Sequence, residues 1–114
     1  MANEWSSARG SVGSWFAVVD GERLPCVHKH WCEGKAQTYN DPWVRRGRAH
    51  ADEFVDAIEA NKTVILCEDE ITENEGREPG FKRKSYIAVF EISDVVCDDD
   101  GLRFKFAKRG KTLR

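Results

Sequence analysis

Short apolar runs separated by turn signals dominate the pattern of hydrophobic and polar positions along this chain. The first run, W-F-A-V-V, predicts a strand, and Asp20-Gly21 directly after it predicts a two-residue hairpin turn. A second strand is expected to follow and to run towards Cys32. A two-residue turn fixes the register of the hairpin, so Ala17 is expected to lie opposite Leu24.

One stretch has helical rather than strand periodicity. Its apolar residues recur at the i, i+3, i+4, i+7 spacing, and acidic residues occupy the opposite positions. The apolar positions are Ala51, Phe54, Val55 and Ile58. This pattern predicts a helix over residues 49–60.

The remaining apolar runs predict three further strands. Residues 63–67, T-V-I-L-C, are a continuous apolar run, which is typical of a buried strand. Residues 68–80 are acidic, end in Pro-Gly and predict a surface loop. Residues 86–92 form the strongest strand pattern, and after an Asp-rich turn residues 102–107 alternate between apolar and basic side chains.

Together these elements predict an α+β fold. We expect a small curled antiparallel sheet or partly closed β-barrel of about five strands, with one helix (about 49–60) after the second strand. Length favours one domain. We predict a flexible N-terminal arm over residues 1–13, a single globular domain over 14–108 and a basic tail over 109–114.

Charge is unevenly distributed along the 114 residues. The formal net charge is -2, so the whole molecule offers no cationic field to nucleic acid or to an anionic membrane. Residues 51–80 carry two basic and ten acidic side chains, whereas residues 81–114 carry nine basic and five acidic ones. A local basic patch is therefore compatible with a mildly acidic protein.

The four cysteines could form two disulfides, but nothing in the sequence suggests secretion. The N-terminal residues contain no apolar stretch typical of a signal peptide, and no run approaches the roughly 18 apolar residues of a membrane helix. We therefore expect a cytoplasmic protein with free thiols and no membrane partner.

The stretch from Cys26 to Cys32 has the densest chemistry, because Cys26, His28, His30 and Cys32 fall at every second position. In an extended strand these four side chains would span about 20 Å. Zinc ligands must converge to within about 2.3 Å of one ion, so a single four-ligand site is not expected. We predict core thiols, no metal and no other cofactor. A metal would need two neighbours plus a distant ligand.

An enzymatic alternative uses the two histidines. His28 and His30 suit acid–base chemistry because histidine titrates near neutral pH, and Asp41 is the partner that the sequence offers. The sequence contains no G-x-S-x-G, no H-E-x-x-H and no phosphate-binding glycine loop.

The leading prediction is a binding site on a long loop over residues 33–48. Aromatic rings can stack on exposed bases, and guanidinium groups can hold phosphates. A basic run before the strongest strand could add to the same surface. The predicted ligand-binding residues are Trp31, Tyr39, Trp43, Arg45, Arg46, Lys82, Arg83 and Lys84.

The order of hairpin, long loop, helix and strands also resembles the PUA-like group of domains, which includes EVE and ASCH domains. The resemblance depends mainly on Y-I-A-V-F-E-I-S-D-V-V, residues 86–96, and on size. It implies a small curled barrel that binds RNA or modified bases in a pocket lined by aromatic rings. It assigns no role to an individual residue.

These observations predict a small non-enzymatic binding module that recognises a nucleotide or nucleic acid. The alternatives are a small enzyme that uses His28 and His30, and a protein-interaction or regulatory factor with a protein partner. The sequence leaves the oligomeric state open.

Overall fold

A computed structural model describes residues 15–34, 37–47 and 49–113. Over these residues the chain is mostly sheet, with seven strands in one mixed sheet of order β1-β2-β5-β6-β7-β4-β3 and a single α-helix. The strands are β1 (Phe16–Val19), β2 (Glu22–His28), β3 (Cys32–Glu33), β4 (Thr38–Asp41), β5 (Thr63–Thr72), β6 (Gly80–Asp98) and β7 (Gly101–Thr112), and the helix α1 is Ala49–Asn61.

The first hairpin confirms the register expected from its turn. Ala17 pairs with Leu24 across β1 and β2. Asp20 and Gly21 both have positive φ, at 52° and 82°. Those angles are what a type I′ turn requires, and glycine reaches them without steric cost.

The predicted helix is confirmed, and it covers one face of the sheet. Phe54, Val55 and Ile58 are buried, and the helix packs against β2, β5 and β6. Burying a large apolar side chain contributes about 1.5–3 kcal/mol, so these three residues anchor the helix. The chain leaves the helix at Lys62, whose φ is 52°.

The expectation of about five strands, with the helix after the second, is wrong. The loop predicted over residues 33–48 contains Glu33 of β3 and all of β4, so the helix follows the fourth strand. Strand β4 was not predicted because its sequence is polar. Its two buried residues are Tyr39 and Asp41, and only Tyr39 is aromatic. Tyr39 pairs with Phe104 of β7, and this pairing makes the short polar segment a strand.

The sheet is also neither purely antiparallel nor closed into a barrel. The chain leaves β2, forms β3, β4 and α1, and returns in β5, which pairs parallel with β2. Parallel neighbours need such a long crossover connection. The edges of the sheet are β1 and β3.

The strands β5, β6 and β7 are longer than their apolar runs predict. Residues 68–72 of the loop expected over residues 68–80 belong to β5, in which Ile71 pairs with Phe81 of β6. Residues 109–114, expected as a tail, belong to β7 as far as Thr112. The arm expected over residues 1–13 lies outside the described residues. None of the helices among the described residues is long and apolar enough to cross a membrane.

Gly101 provides a test of the packing between β4 and β7. Its φ is +112°, and a Cβ at this position would clash with the Asp41 carbonyl oxygen and lie 2.6 Å from the Cα of Pro42. Backbone strain alone costs about 1–3 kcal/mol. We expect Gly101→Ala to lower the free energy of unfolding by about 3 kcal/mol in urea denaturation.

Gly76→Ala is the matched control, because Gly76 also has a positive φ, +71°, but its Cβ would meet no atom within 4 Å. We expect this variant to lose only about 1 kcal/mol, since it carries the backbone cost without the clash. Equal losses in the two variants would show that the close approach at Gly101 is unimportant.

Candidate aromatic binding site

The row of alternating cysteines and histidines does not form one face. Strand β2 ends at His28, and Lys29–Trp31 form a 3₁₀ turn that breaks the alternation. Cys26 is buried in the smaller apolar cluster, His30 is exposed, and Cys32 packs against the larger cluster. No group of three or more histidines, cysteines or acids among the described residues could hold a metal ion.

The thiol chemistry also differs between the cysteines. Burial raises the pKa of Cys32 to about 11. A hydrogen bond from Cys67 and the nearby charge of Arg83 lower the pKa of Cys26, whereas burial raises that of Cys67. All four cysteines are free.

A buried carboxylate joins the end of β2 to the hairpin of β5 and β6. The side chain of Asp69 is 1% exposed. Its Oδ2 lies 2.5 Å from Nδ1 of His28, and its Oδ1 lies 2.8 Å from Nε of Arg83. Because an ionised carboxylate can only accept, Nδ1 of His28 carries the hydrogen in this contact.

The partners of Asp69 decide its ionisation. Burial alone would raise the pKa of Asp69, but the hydrogen bonds and charges of His28 and Arg83 outweigh burial and hold that pKa below its ordinary value of 3.8. The carboxylate therefore stays ionised at neutral pH.

Irregular pairing in β6 aims Arg83 at this carboxylate. Asp69 pairs with Arg83 while Glu68 pairs with Ser85, so Lys84 is an extra residue in β6. A bulge of this kind resets the alternation of side chains between the two faces of a sheet. Phe81 and Arg83 consequently lie on the face of Asp69, and Lys82 lies on the other face.

Four rings gather beside Asp69, and we call them the aromatic cluster: His28, His30, Trp31 and Phe81. The His28 ring stacks on Phe81, with centroids 4.0 Å apart and planes 10° apart. His30 lies edge-on to Trp31 at 4.7 Å and to Phe81 at 5.9 Å. His30 is exposed, the side chain of His28 is 21% exposed, and Trp31 and Phe81 are half-buried.

Tyr39 lies on the inner side of this site rather than on its surface. It is 1% exposed and stacks on Phe104 with ring centroids 4.7 Å apart. Its hydroxyl accepts a hydrogen bond from the backbone N–H of His28 at 3.2 Å. As placed, Tyr39 supports the end of β2 from inside the core and offers no ring to a ligand.

Asp41 is a buried structural group rather than the partner of a histidine ring. Its Oδ1 accepts the backbone N–H of Trp43 at 2.9 Å, which fixes the turn after β4. Burial raises the pKa of Asp41, although its hydrogen bond with Trp43 and the proximity of His28 act against that. Asp69, and not Asp41, holds the His28 ring.

The basic residues predicted for ligand binding are dispersed. Arg45 is exposed and donates to the carbonyl of Pro42 at 3.2 Å. Arg46 pairs with two acids of α1, Asp56 at 2.9 Å and Glu59 at 2.8 Å. Arg83 is held by Asp69, and Lys82 and Lys84 are exposed. Trp43 is half-buried on the turn after β4, so only Trp31 of the predicted aromatic residues joins the cluster.

Sequence reasoning missed Asp69 and Phe81. Both lie in polar segments that pair as a hairpin, and the available signal was one apolar residue in each segment, Ile71 and Phe81. Isolated apolar residues at matching positions on either side of a turn indicate that two polar segments are strands.

No protein-family model, no curated protein and no solved structure matches this chain.

Asp69→Asn tests the buried carboxylate. The variant removes the negative charge that His28 and Arg83 face, so we expect the free energy of unfolding at pH 7 to fall by about 3 kcal/mol. The contribution of Asp69 is present above pH 3.8 and is lost as the pH falls through its lowered pKa. We therefore expect the free energy of unfolding, measured by urea titration, to fall less in the variant than in the wild type as the pH is lowered.

Asp41→Asn is the matched control, because Asp41 is also buried but its pKa is raised. Ionisation of Asp41 costs stability as the pH rises above 3.8, and Asn retains an acceptor for the N–H of Trp43. We expect no loss of stability at pH 7. A loss as large as that of Asp69→Asn would contradict the different roles of the two carboxylates.

Proposed function

We propose that this protein is a small binding module that recognises a nucleotide or the bases of a single-stranded nucleic acid at the aromatic cluster. The observation that carries the proposal is the grouping of His30, Trp31 and Phe81 around the fixed ring of His28, with each ring at least partly accessible. Aromatic faces and edges of this kind stack on bases without regard to sequence.

The cluster is preorganised, which supports a role in binding. His28 is held at its ring by Asp69, at one face by Phe81 and at its backbone by Tyr39. Fixed rings lose little conformational freedom when a ligand stacks on them, so less of the interaction free energy is lost to ordering.

Charge beside the cluster suits a phosphate. Lys29 is exposed in the 3₁₀ turn, and no acidic side chain among the described residues pairs with it. Lys82 is exposed too, but it lies on the other face of the sheet from Phe81. An ammonium group contacts phosphate as a point charge, so Lys29 would position the backbone and the rings would hold the bases.

The proposal moves the predicted site from the loop to the end of β2 and the β5–β6 hairpin. The likeness to PUA-like domains, the alternative of a protein partner and the cytoplasmic location stay predictions. So does the absence of a cofactor.

Trp31→Leu tests the position of the site. A stacked base is worth about 1–3 kcal/mol, so we expect the dissociation constant of a fluorescein-labelled dT or rU oligonucleotide to rise about tenfold or more in anisotropy titrations. Trp43→Leu, on the turn after β4, is the matched control and should leave the constant unchanged.

The salt dependence of the dissociation constant provides a second test, because a protein that contacts phosphates releases counterions from the nucleic acid. We expect affinity to fall with added salt, and Lys29→Ala to reduce that dependence. If Trp43→Leu weakens binding and Trp31→Leu does not, the site lies on the loop. If no oligonucleotide or nucleotide binds at low salt, the proposed function is wrong.

A further inference from the structure

Two imidazoles share the surface at which we propose that bases bind. The ring centroids of His28 and His30 lie 4.0 and 5.9 Å from that of Phe81. Lys29 separates them in the chain and is exposed. One end of the sheet therefore brings together two proton-transfer groups, a cation and rings that can stack on bases.

The surroundings of His28 suit a general base. Its Nδ1–H donates to Asp69, one face of its ring lies on Phe81, and its Nε2 makes no hydrogen bond with any residue that the structure describes. The side chain is still 21% exposed. A carboxylate on Nδ1–H fixes the tautomer whose Nε2 can accept a proton and stabilises the imidazolium that then forms.

The surroundings of His30 suit the complementary role. Its ring is exposed, touches Trp31 and Phe81 through edge contacts only, and forms no hydrogen bond within the described part of the chain. An imidazole with both nitrogens free can exchange protons with solvent and present an N–H to a leaving group.

We propose that this site cleaves single-stranded RNA, with His28 as general base and His30 as general acid. The proposal rests on the proposed function, since the aromatic cluster must hold the bases on either side of the scissile phosphate. The substrate class follows from the chemistry: RNA carries an internal nucleophile, the 2′-hydroxyl, and DNA does not.

The reaction conserves atoms and protons. Nε2 of His28 takes the proton of the 2′-hydroxyl while O2′ forms a bond to the adjacent phosphorus. The bond from phosphorus to O5′ breaks, and the imidazolium form of His30 gives its proton to O5′. The products are a 2′,3′-cyclic phosphate and a 5′-hydroxyl end. The ammonium of Lys29 would lie beside the phosphate oxygens, where negative charge accumulates.

The experiment measures binding and cleavage on the same three oligonucleotides: a 5′-labelled single-stranded RNA, the DNA of the same sequence and the fully 2′-O-methylated RNA. All incubations contain EDTA. We expect all three to bind in anisotropy titrations, and only the unmodified RNA to be cut on a sequencing gel, with a 2′,3′-cyclic phosphate at the new end.

Three variants separate the roles of the histidines. We expect His28→Gln and His30→Gln to lower the cleavage rate at saturating RNA at least about 100-fold, the usual contribution of one acid–base group, in addition to the loss of affinity that follows from removing one ring of the aromatic cluster. His50→Gln, in α1, is the matched control and should cleave at the wild-type rate. His30 is exposed, so His30→Gln remains informative if His28→Gln fails to fold.

The results distinguish failure of this inference from failure of the proposed function. RNA that binds but stays intact would overturn the ribonuclease inference and leave the binding function standing. An absence of binding to all three oligonucleotides would remove both. Cleavage that persists in His30→Gln, or that also cuts the 2′-O-methylated RNA, would contradict the assigned chemistry.

Discussion

The structure at the candidate site depends on one buried carboxylate. Asp69 of β5 binds the ring of His28, the last residue of β2, and the guanidinium of Arg83 in β6. It therefore links three neighbouring strands at the point where β2 ends. Removing one member of such a group leaves a poorly compensated charge in a low-dielectric site. The stack of His28 on Phe81, and with it the aromatic cluster, depends on this constraint.

Sequence patterns within short segments were sufficient to predict the elements whose structure depends on those segments alone. The Asp20-Gly21 turn predicted the first hairpin and its register, and apolar periodicity predicted α1 to within one residue. The pairing of strands that are far apart in sequence could not be predicted from such patterns. Strand β4 lies between β7 and β3, which are far from each other in sequence, and the parallel pairing of β2 with β5 depends on where the whole crossover returns.

The candidate site contains three residues that the sequence singled out, the two histidines of β2 and the 3₁₀ turn and Trp31. The sequence suggested that Asp41 and the loop over residues 33–48 would form the rest of the site. Asp41 is instead buried and accepts a hydrogen bond from the backbone N–H of Trp43. The residue that holds the His28 ring, Asp69, lies in an acidic segment that is typical of a solvated loop, and Arg83 reaches Asp69 because Lys84 is an extra residue in β6. A bulge moves every later side chain of its strand to the opposite face of the sheet, and the residue types of this segment do not predict one.

A double-mutant cycle between His28 and Asp69 tests the central claim, that the carboxylate holds the His28 ring. His28→Phe keeps a ring on Phe81 but removes Nδ1, and Asp69→Asn removes the charge. Free energies of unfolding at pH 7 for the wild type, both single variants and the double variant give the coupling. We expect a coupling of at least about 1 kcal/mol. Additive losses, within about 0.3 kcal/mol, would contradict it.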